Sequence, residues 1–346
     1  MTGHATADAP DQRANAPAPP RPHRRAGRGG AGAFAVALAL ALAACGSPRP
    51  LGLDERPADR VVVPTSSTHY RDYGTAADLA AALRWRPGAP VWVSAHRGAP
   101  PPGLPENSLP AFENALNYAP ALVETDVRRT ADGVLVLLHD ETLDRTTTGT
   151  GRISETTFAA LRALRLVTAD GVVTPFRVPT LAEALAWAEG RTALLLDVKS
   201  DVPYEALVAE LDRLDAADQA AVITYTLADH RRLYALAPDL VVSSAAETAA
   251  AADALLASDV DLGRTVAWTG VGAPDAALVD RLHAAGIRAQ AGAYGAIDGE
   301  AIATASTAPY AALLGVGVDV IGTDHVAGAA LAARQANLAA PRDAEL

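Results

Sequence analysis

Four apolar runs in this chain end in, or contain, side chains that apolar runs normally exclude. "VWVSAHRG" delivers His96 and Arg97, "ALVETDV" holds Glu124 and Asp126, "VLVLLHD" runs into His139 and Asp140, and "LLLDVKS" carries Asp197 and Lys199. Burying unpaired ionisable groups is costly, so they require partners or a metal. Residues i and i+2 of a strand share a face, which places Glu124 beside Asp126 and Asp197 beside Lys199. Three carboxylates converging at one place repel one another unless a cation intervenes. Oxygen donors of this kind suit Mg²⁺ or Ca²⁺, whereas zinc favours histidine or thiolate. Arg97 and Lys199 then have the charge to neutralise phosphate oxygens beside the metal. His96 and His139 are able to exchange a proton at neutral pH, one as base and one as acid. Metal, cations and a histidine pair together describe the cleavage of a phosphodiester.

Something must bring those runs to one place. From Val91 onward, strand-like runs alternate with helical patterns: Val91–Ala95, Leu122–Val127, Ala193–Val198, Ala221–Tyr225, Leu240–Ser243, Thr265–Trp268, Ile287–Ala291 and Val318–Gly322. Helical stretches between them include Leu109–Tyr118, Thr180–Ala188, Tyr204–Leu214, Leu227–Ala237, Glu247–Ala257 and Asp275–Ala285. Regular alternation implies parallel βαβ units, and eight of them over roughly 240 residues predict an α/β fold, the (β/α)8 TIM barrel. Barrel enzymes work at the carboxyl ends of their strands, which is where the charged residues fall. An insertion after strand two, about residues 140–178, leaves on that same side. Its glycines in "TTTGTG" read as a turn in preference to a phosphate cradle. His230, His283 and His325 lie without ionisable company in the sequence and read as structural, and Asp324 reads as a helix N-cap in preference to a group facing the mouth.

The flanks point elsewhere. Residues 1–32 are polar, with arginines at 13, 21, 24, 25 and 28, and are followed by an apolar run to Ala44. A basic stretch, a short apolar run and small residues describe an export signal. "LAAC" resembles the bacterial lipobox, which implies cleavage before Cys45 and acylation of its thiol. Residues 1–45 are thus expected to be a signal peptide, 46–88 a tether and N-terminal extension, 89–335 the catalytic barrel, and 336–346 a tail. The expected location is extracytoplasmic, on a bacterial membrane through the lipid anchor, or secreted if the lipobox is not used. Cys45 is the one cysteine, so no disulfide framework is available. A net charge of −11 argues against a nucleic-acid partner.

Taken in order, "AHRG" (95–98), "PENSLPAFENAL" (105–116), "ETDVRRTADGVLVLLHD" (124–140), "LDRTTTGTG" (143–151), "VPTLAEAL" (178–185) and "LLLDVKS" (194–200) resemble the glycerophosphodiester phosphodiesterase family. The resemblance implies a TIM barrel with a small insertion after strand two. It makes Glu124 and Asp126 metal ligands, with Asp197 at a third position more often glutamate. His96 and His139 become the acid–base pair, while Arg97 and Lys199 contact phosphate. The implied reaction is metal-dependent release of sn-glycerol 3-phosphate and an alcohol from deacylated phospholipids, with one Mg²⁺ or Ca²⁺. A small-molecule phosphodiester is the implied partner. The resemblance implies a tryptophan motif on the seventh strand that lines the glycerol end; there this chain reads "IRAQAGAYG" (287–295), with Gln290 and Tyr294 as substitutes. Two other readings remain: a phospholipase D or sphingomyelinase D-like enzyme on intact lipid headgroups, and a non-catalytic ligand-binding surface lipoprotein. The former needs an apolar rim, for which the insertion offers Phe158, Leu161, Leu164 and Leu166.

Overall fold

The computed structural model describes residues 69–339. The expected signal, the lipobox and Cys45 lie outside the described residues. Helix α1 (Ala76–Leu83) precedes strand β1 (Trp92–Ala95), after which come α2 (Leu109–Leu116), β2 (Ala121–Arg129) and β3 (Leu135–Leu137). The insertion holds α3 (Phe158–Ala163) and leads to α4 (Leu181–Ala188) and β4 (Leu194–Val198). Strand–helix pairs then follow: α5 (Tyr204–Leu214) with β5 (Ala220–Thr224), α6 (Leu227–Leu236) with β6 (Val241–Ala245), α7 (Ala249–Leu256) with β7 (Thr265–Val271), and α8 (Ala276–Ala284) with β8 (Arg288–Gly292). The chain ends in α9 (Ala296–Thr304), α10 (Ala311–Gly315), β9 (Val320–Thr323) and α11 (Val326–Ala339).

Eight of these strands are parallel neighbours, and β1 closes the ring by pairing with both β2 and β9. This is the expected TIM barrel. β3 pairs antiparallel with β2 and lies outside the ring. Alternation along each strand sorts the side chains. Val123 and Val127 of β2 point out to a core shared with α2, α4 and α5, together with Leu194, Leu196 and Val198 of β4. The inward series begins apolar, with Leu122 and Leu195 in the lower interior, and turns charged toward the top with Glu124, Asp126 and Asp197.

Helix starts follow their caps. Thr180 and Glu183 form a reciprocal capping box on α4, and Thr248 caps α7, so that helix begins two residues later than the apolar pattern suggests. Ser108 caps α2 with Pro110 in its first turn.

Both expected domain boundaries move. Leu79, Ala80 and Leu83 of α1 pack with Trp92, Leu122, Val241, Val266 and Val320, the lower interior of the barrel. Residues 69–88, expected as an N-terminal extension outside the barrel, therefore close the barrel floor. At the other end, Asn337 accepts a hydrogen bond from the Val91 backbone (2.7 Å) and returns one to its carbonyl (3.1 Å). The barrel thus runs past residue 335.

The insertion has its own core: Val136, Leu138, Leu143, Ile153, Leu161, Leu166 and Val178, with Phe158 and Leu164 against it. Those residues dock the insertion and do not form a lipid-facing rim. Gly149 abuts Leu164, and the N–H groups of Gly149 and Gly151 bond Thr147 and Asp144, so "TTTGTG" is a turn. Among the described residues no helix is long and apolar enough to cross a membrane.

Candidate active site

The chain leaves β1 through a contorted turn. Arg97, Gly98 and Ala99 all have positive φ (51°, 80° and 43°), as does Asn107 (53°). A side chain at Gly98 would meet Phe112 at 2.6 Å, so glycine is required there. Non-glycine residues in this region cost about 1–3 kcal/mol each, and such strain concentrates at functional sites. Here the turn aims the Arg97 backbone N–H at Glu124 Oε2 (2.7 Å). Asn107, held by its N–H to the Arg97 carbonyl, donates from Nδ2 to Asp126 Oδ2 (2.7 Å). Its Oδ1 accepts from Thr125 Oγ1 (2.6 Å) and the Asp126 N–H (3.0 Å).

Glu124, Asp126 and Asp197 face one another inside the barrel top, each offering a carboxylate oxygen within 4.8 Å of the others. The β2–β4 register sets Asp126 directly beside Asp197. Lys199 bridges the pair, with Nζ 2.7 Å from Asp126 Oδ1 and 2.5 Å from Asp197 Oδ2. Tyr225 donates its hydroxyl to the same Asp197 oxygen (2.8 Å). Burial works against ionised Asp126, but Lys199 and Arg97 outweigh it and hold its carboxyl down at about 2. Glu124 is driven the other way, to about 8, by burial and then by the charge of Asp126. Asp197 Oδ1 is buried with no hydrogen-bond partner. An orphaned buried carboxylate oxygen, an under-neutralised glutamate and an all-oxygen donor set fit a hard divalent cation.

Two histidine–aspartate pairs stand at the same mouth. His96 Nδ1 lies 2.7 Å from Asp324 Oδ1, and His139 Nδ1 lies 2.7 Å from Asp140 Oδ1. Engaging Nδ1 fixes each ring and leaves Nε2 to meet substrate. Burial opposes protonation of His96, yet the bond to Asp324 and the charge of Glu124 prevail and raise its pKa. Asp140 is in turn gripped by Arg145, which also makes a two-pronged pair with Glu106 (both 2.8 Å). Glu106 accepts from Arg97 Nη1 as well (3.1 Å).

A family model for the glycerophosphoryl diester phosphodiesterase family matches residues 96–327. The chain belongs to that family. A crystal structure of a family member from Parabacteroides distasonis superposes with a TM-score of 0.72 at 31% identity, covering 77% of this chain and 94% of that one. An Oleispira antarctica phosphodiesterase, solved in complex with the product sn-glycerol-3-phosphate, shares the fold at 22% identity and a TM-score of 0.56, over 71% of this chain and 97% of its own. "Glycerophosphodiester phosphodiesterase 1" of Bos taurus is 42% identical over 104 residues, 29% of this chain; the matched stretch spans 31% of the bovine protein.

All seven barrel residues singled out in the sequence (His96, Arg97, Glu124, Asp126, His139, Asp197 and Lys199) gather at the carboxyl ends of β1, β2 and β4 and the end of β3. Asp197 reaches the cluster despite being one methylene shorter than glutamate. Arg97 and Lys199 rest on carboxylates. Tyr294 lies against His96, ring centroids 4.4 Å apart, whereas Gln290 sits in the barrel interior beside Ser243 (3.3 Å). Two expectations are corrected. Asp324 faces the mouth as the partner of His96, not as a helix cap, because it closes β9 instead of opening α11. His283 has ionisable company after all: its Nε2 is 2.8 Å from Asp319 Oδ2 on the barrel floor. Asn107, Glu106, Arg145 and Tyr225 carried no assigned role in the sequence. Their signal is tertiary: they come from the loops after β1, β3 and β5, and each acquires meaning only through the residue it grips.

Proposed function

We propose that the protein is a metal-dependent phosphodiesterase that hydrolyses glycerophosphodiesters to sn-glycerol 3-phosphate and an alcohol. The observation that carries this reading is the buried carboxylate cluster with Lys199 laid across it, flanked at one mouth by two histidine–aspartate pairs. Glu124, Asp126 and Asp197 would hold one Mg²⁺ or Ca²⁺. When bound, the cation supplies charge against the phosphoryl oxygens. Lys199 and Arg97 add positive charge for the same oxygens, exchanging carboxylate partners for phosphate. One histidine takes the proton of the nucleophile, water or the neighbouring substrate hydroxyl, and the other gives a proton to the departing alkoxide. Asp324 and Asp140 hold the two rings in the orientation and tautomer this requires, and Arg145 holds Asp140. The buried core of the insertion favours small water-soluble diesters over intact lipids, since Phe158, Leu161, Leu164 and Leu166 are spent on docking. Anchoring to a membrane through acylated Cys45, on its extracytoplasmic face, is part of this reading and rests on the sequence alone.

The test is a coupled assay for sn-glycerol 3-phosphate with full-length protein and glycerophosphocholine, glycerophosphoethanolamine or glycerophosphoglycerol. Release from at least one diester is expected. Silence on all three, with release of headgroup from phosphatidylcholine or sphingomyelin, would assign the chemistry to intact lipids instead.

A further inference from the structure

The two histidines of the mouth rest on aspartates that are anchored in different ways. Asp140 bonds Arg145 twice as well as His139, so a guanidinium fixes its carboxylate directly. Asp324 has no such grip. Its side chain is half exposed, and among the described residues its carboxylate bonds His96 alone. A half-exposed carboxylate with one partner keeps a choice of rotamers, so its aim depends on the backbone that carries it. That backbone is fixed by a residue the mechanism above leaves out. Asp298, in the first turn of α9, is buried. Its Oδ2 accepts the Asp324 backbone N–H (2.7 Å), and its Oδ1 accepts the hydroxyls of Thr323 (2.6 Å) and Tyr310 (2.8 Å), both fully buried. Thr323 Oγ1 in turn accepts the His325 N–H (2.9 Å), so the whole turn after β9 is tied to Asp298 directly or through one hydroxyl. Among the described residues no ion pair offsets the burial of this carboxyl, and burying one without a cation is costly. An apolar side chain would fill the space between α9 and β9 without that cost.

On the phosphodiesterase reading above, we propose that Asp298 is a positioning residue: it fixes the turn after β9 so that Asp324 holds the His96 ring in its working orientation. The chain of bonds runs from the Asp298 carboxyl to the Asp324 backbone, and from the Asp324 carboxylate to His96 Nδ1. His96 Nε2 is left for the proton transfer. Buried as it is, Asp298 acts only through Asp324. Its loss therefore slows the chemical step and spares the binding of the diester, which on that reading rests on Lys199, Arg97 and the cation.

The experiment measures kcat and KM, on the diester the wild type turns over fastest, for full-length wild type, Asp298→Ala, Asp324→Ala and the double variant. Asp298→Ala is expected to lower kcat about tenfold with KM within about twofold of wild type, and to lower kcat by less than about twofold once Asp324 is already alanine. An unchanged kcat, a loss carried by KM, or an equal loss in both backgrounds would overturn the proposal and leave Asp298 to the scaffold. If Asp298→Ala does not fold, the same cycle is run with Asp298→Asn, which keeps the volume but offers one acceptor oxygen where three donors converge, and the same outcomes decide. Proton NMR separates this inference from the hydrolytic reading, because it needs no turnover. The His96 Nδ1 proton, donated to Asp324, is expected as a downfield signal in the wild type, absent from Asp324→Ala and lost from the folded Asp298 variant. That loss would sustain Asp298 as the anchor of the pair even if no diester were hydrolysed. A signal that the Asp298 variant leaves in place overturns the proposal whatever the reaction.

Discussion

At the scale of single residues, the account turns on groups whose charge the protein has arranged. His96→Ala and His139→Ala are each expected to lower turnover by about 10²–10⁴-fold, the usual worth of acid–base catalysis. Steady-state kinetics on both variants checks this, and near-wild-type rates would remove the pair from the mechanism. Glu124 gives a pH test. Its folded pKa, about 8, lies above its ordinary 4.5. The folded protein thus keeps a proton that the unfolded chain releases. The resulting stability is complete below about 4.5 and is lost as pH rises through about 8. Asp126, held at about 2, contributes the opposite sense, lost only as pH falls through about 2 and outside this window. Buried His230, depressed to about 4, also destabilises toward acid and tilts the curve the other way. Thermal melts of chelator-treated protein should therefore be compared as differences between wild type and Glu124→Gln. The difference is expected to grow from pH 5 to pH 9 in favour of the variant. A flat difference would mean that Glu124 ionises as an ordinary carboxylate.

At the scale of elements, the floor helix and the strands explain what was readable beforehand. Leu79 and Leu83 are fully buried between the barrel floor and α1. Truncating a buried leucine removes transfer energy and leaves a cavity, so Leu79→Ala is expected to cost about 2–5 kcal/mol in denaturant unfolding. A cost under about 0.5 kcal/mol, the level of an inert surface change, would make α1 an appendage after all. The eight barrel strands were legible because Val, Leu and Ile runs bounded by helical patterns have few other solutions. Glu124/Asp126 and Asp197/Lys199 were legible because a period of two fixes which residues share a face. The α1 contact was not, since the apolar face of a short helix does not say what it covers. Asp324 was misread for a related reason: an Asp before a helix signals a cap locally, and its bond to His96 spans 228 residues. Arg145 likewise reads as one basic residue in a loop until the insertion folds it onto Asp140 and Glu106.

At the scale of the whole molecule, export signal, barrel and site make one proposal: a hydrolase held at a membrane surface by its N-terminus. Wild-type protein expressed in a bacterium fed labelled palmitate is expected to take up label and to fractionate with membranes, and Cys45→Ala to do neither. Labelling that survives the substitution would place the anchor elsewhere. The net charge of −11 sets a further constraint. On the proposed function, an acidic protein that binds phosphodiesters needs local positive charge, which Lys199, Arg97 and a cation held by the carboxylate cluster would supply. That cation is the central claim. The most direct measurement strips full-length protein with chelator and follows sn-glycerol 3-phosphate release from glycerophosphocholine as Mg²⁺ or Ca²⁺ is returned. Activity is predicted to vanish on stripping, to return with one of the two ions, and to stay absent at any ion concentration in Glu124→Gln. Undiminished release from the stripped protein, or from the variant, would contradict it.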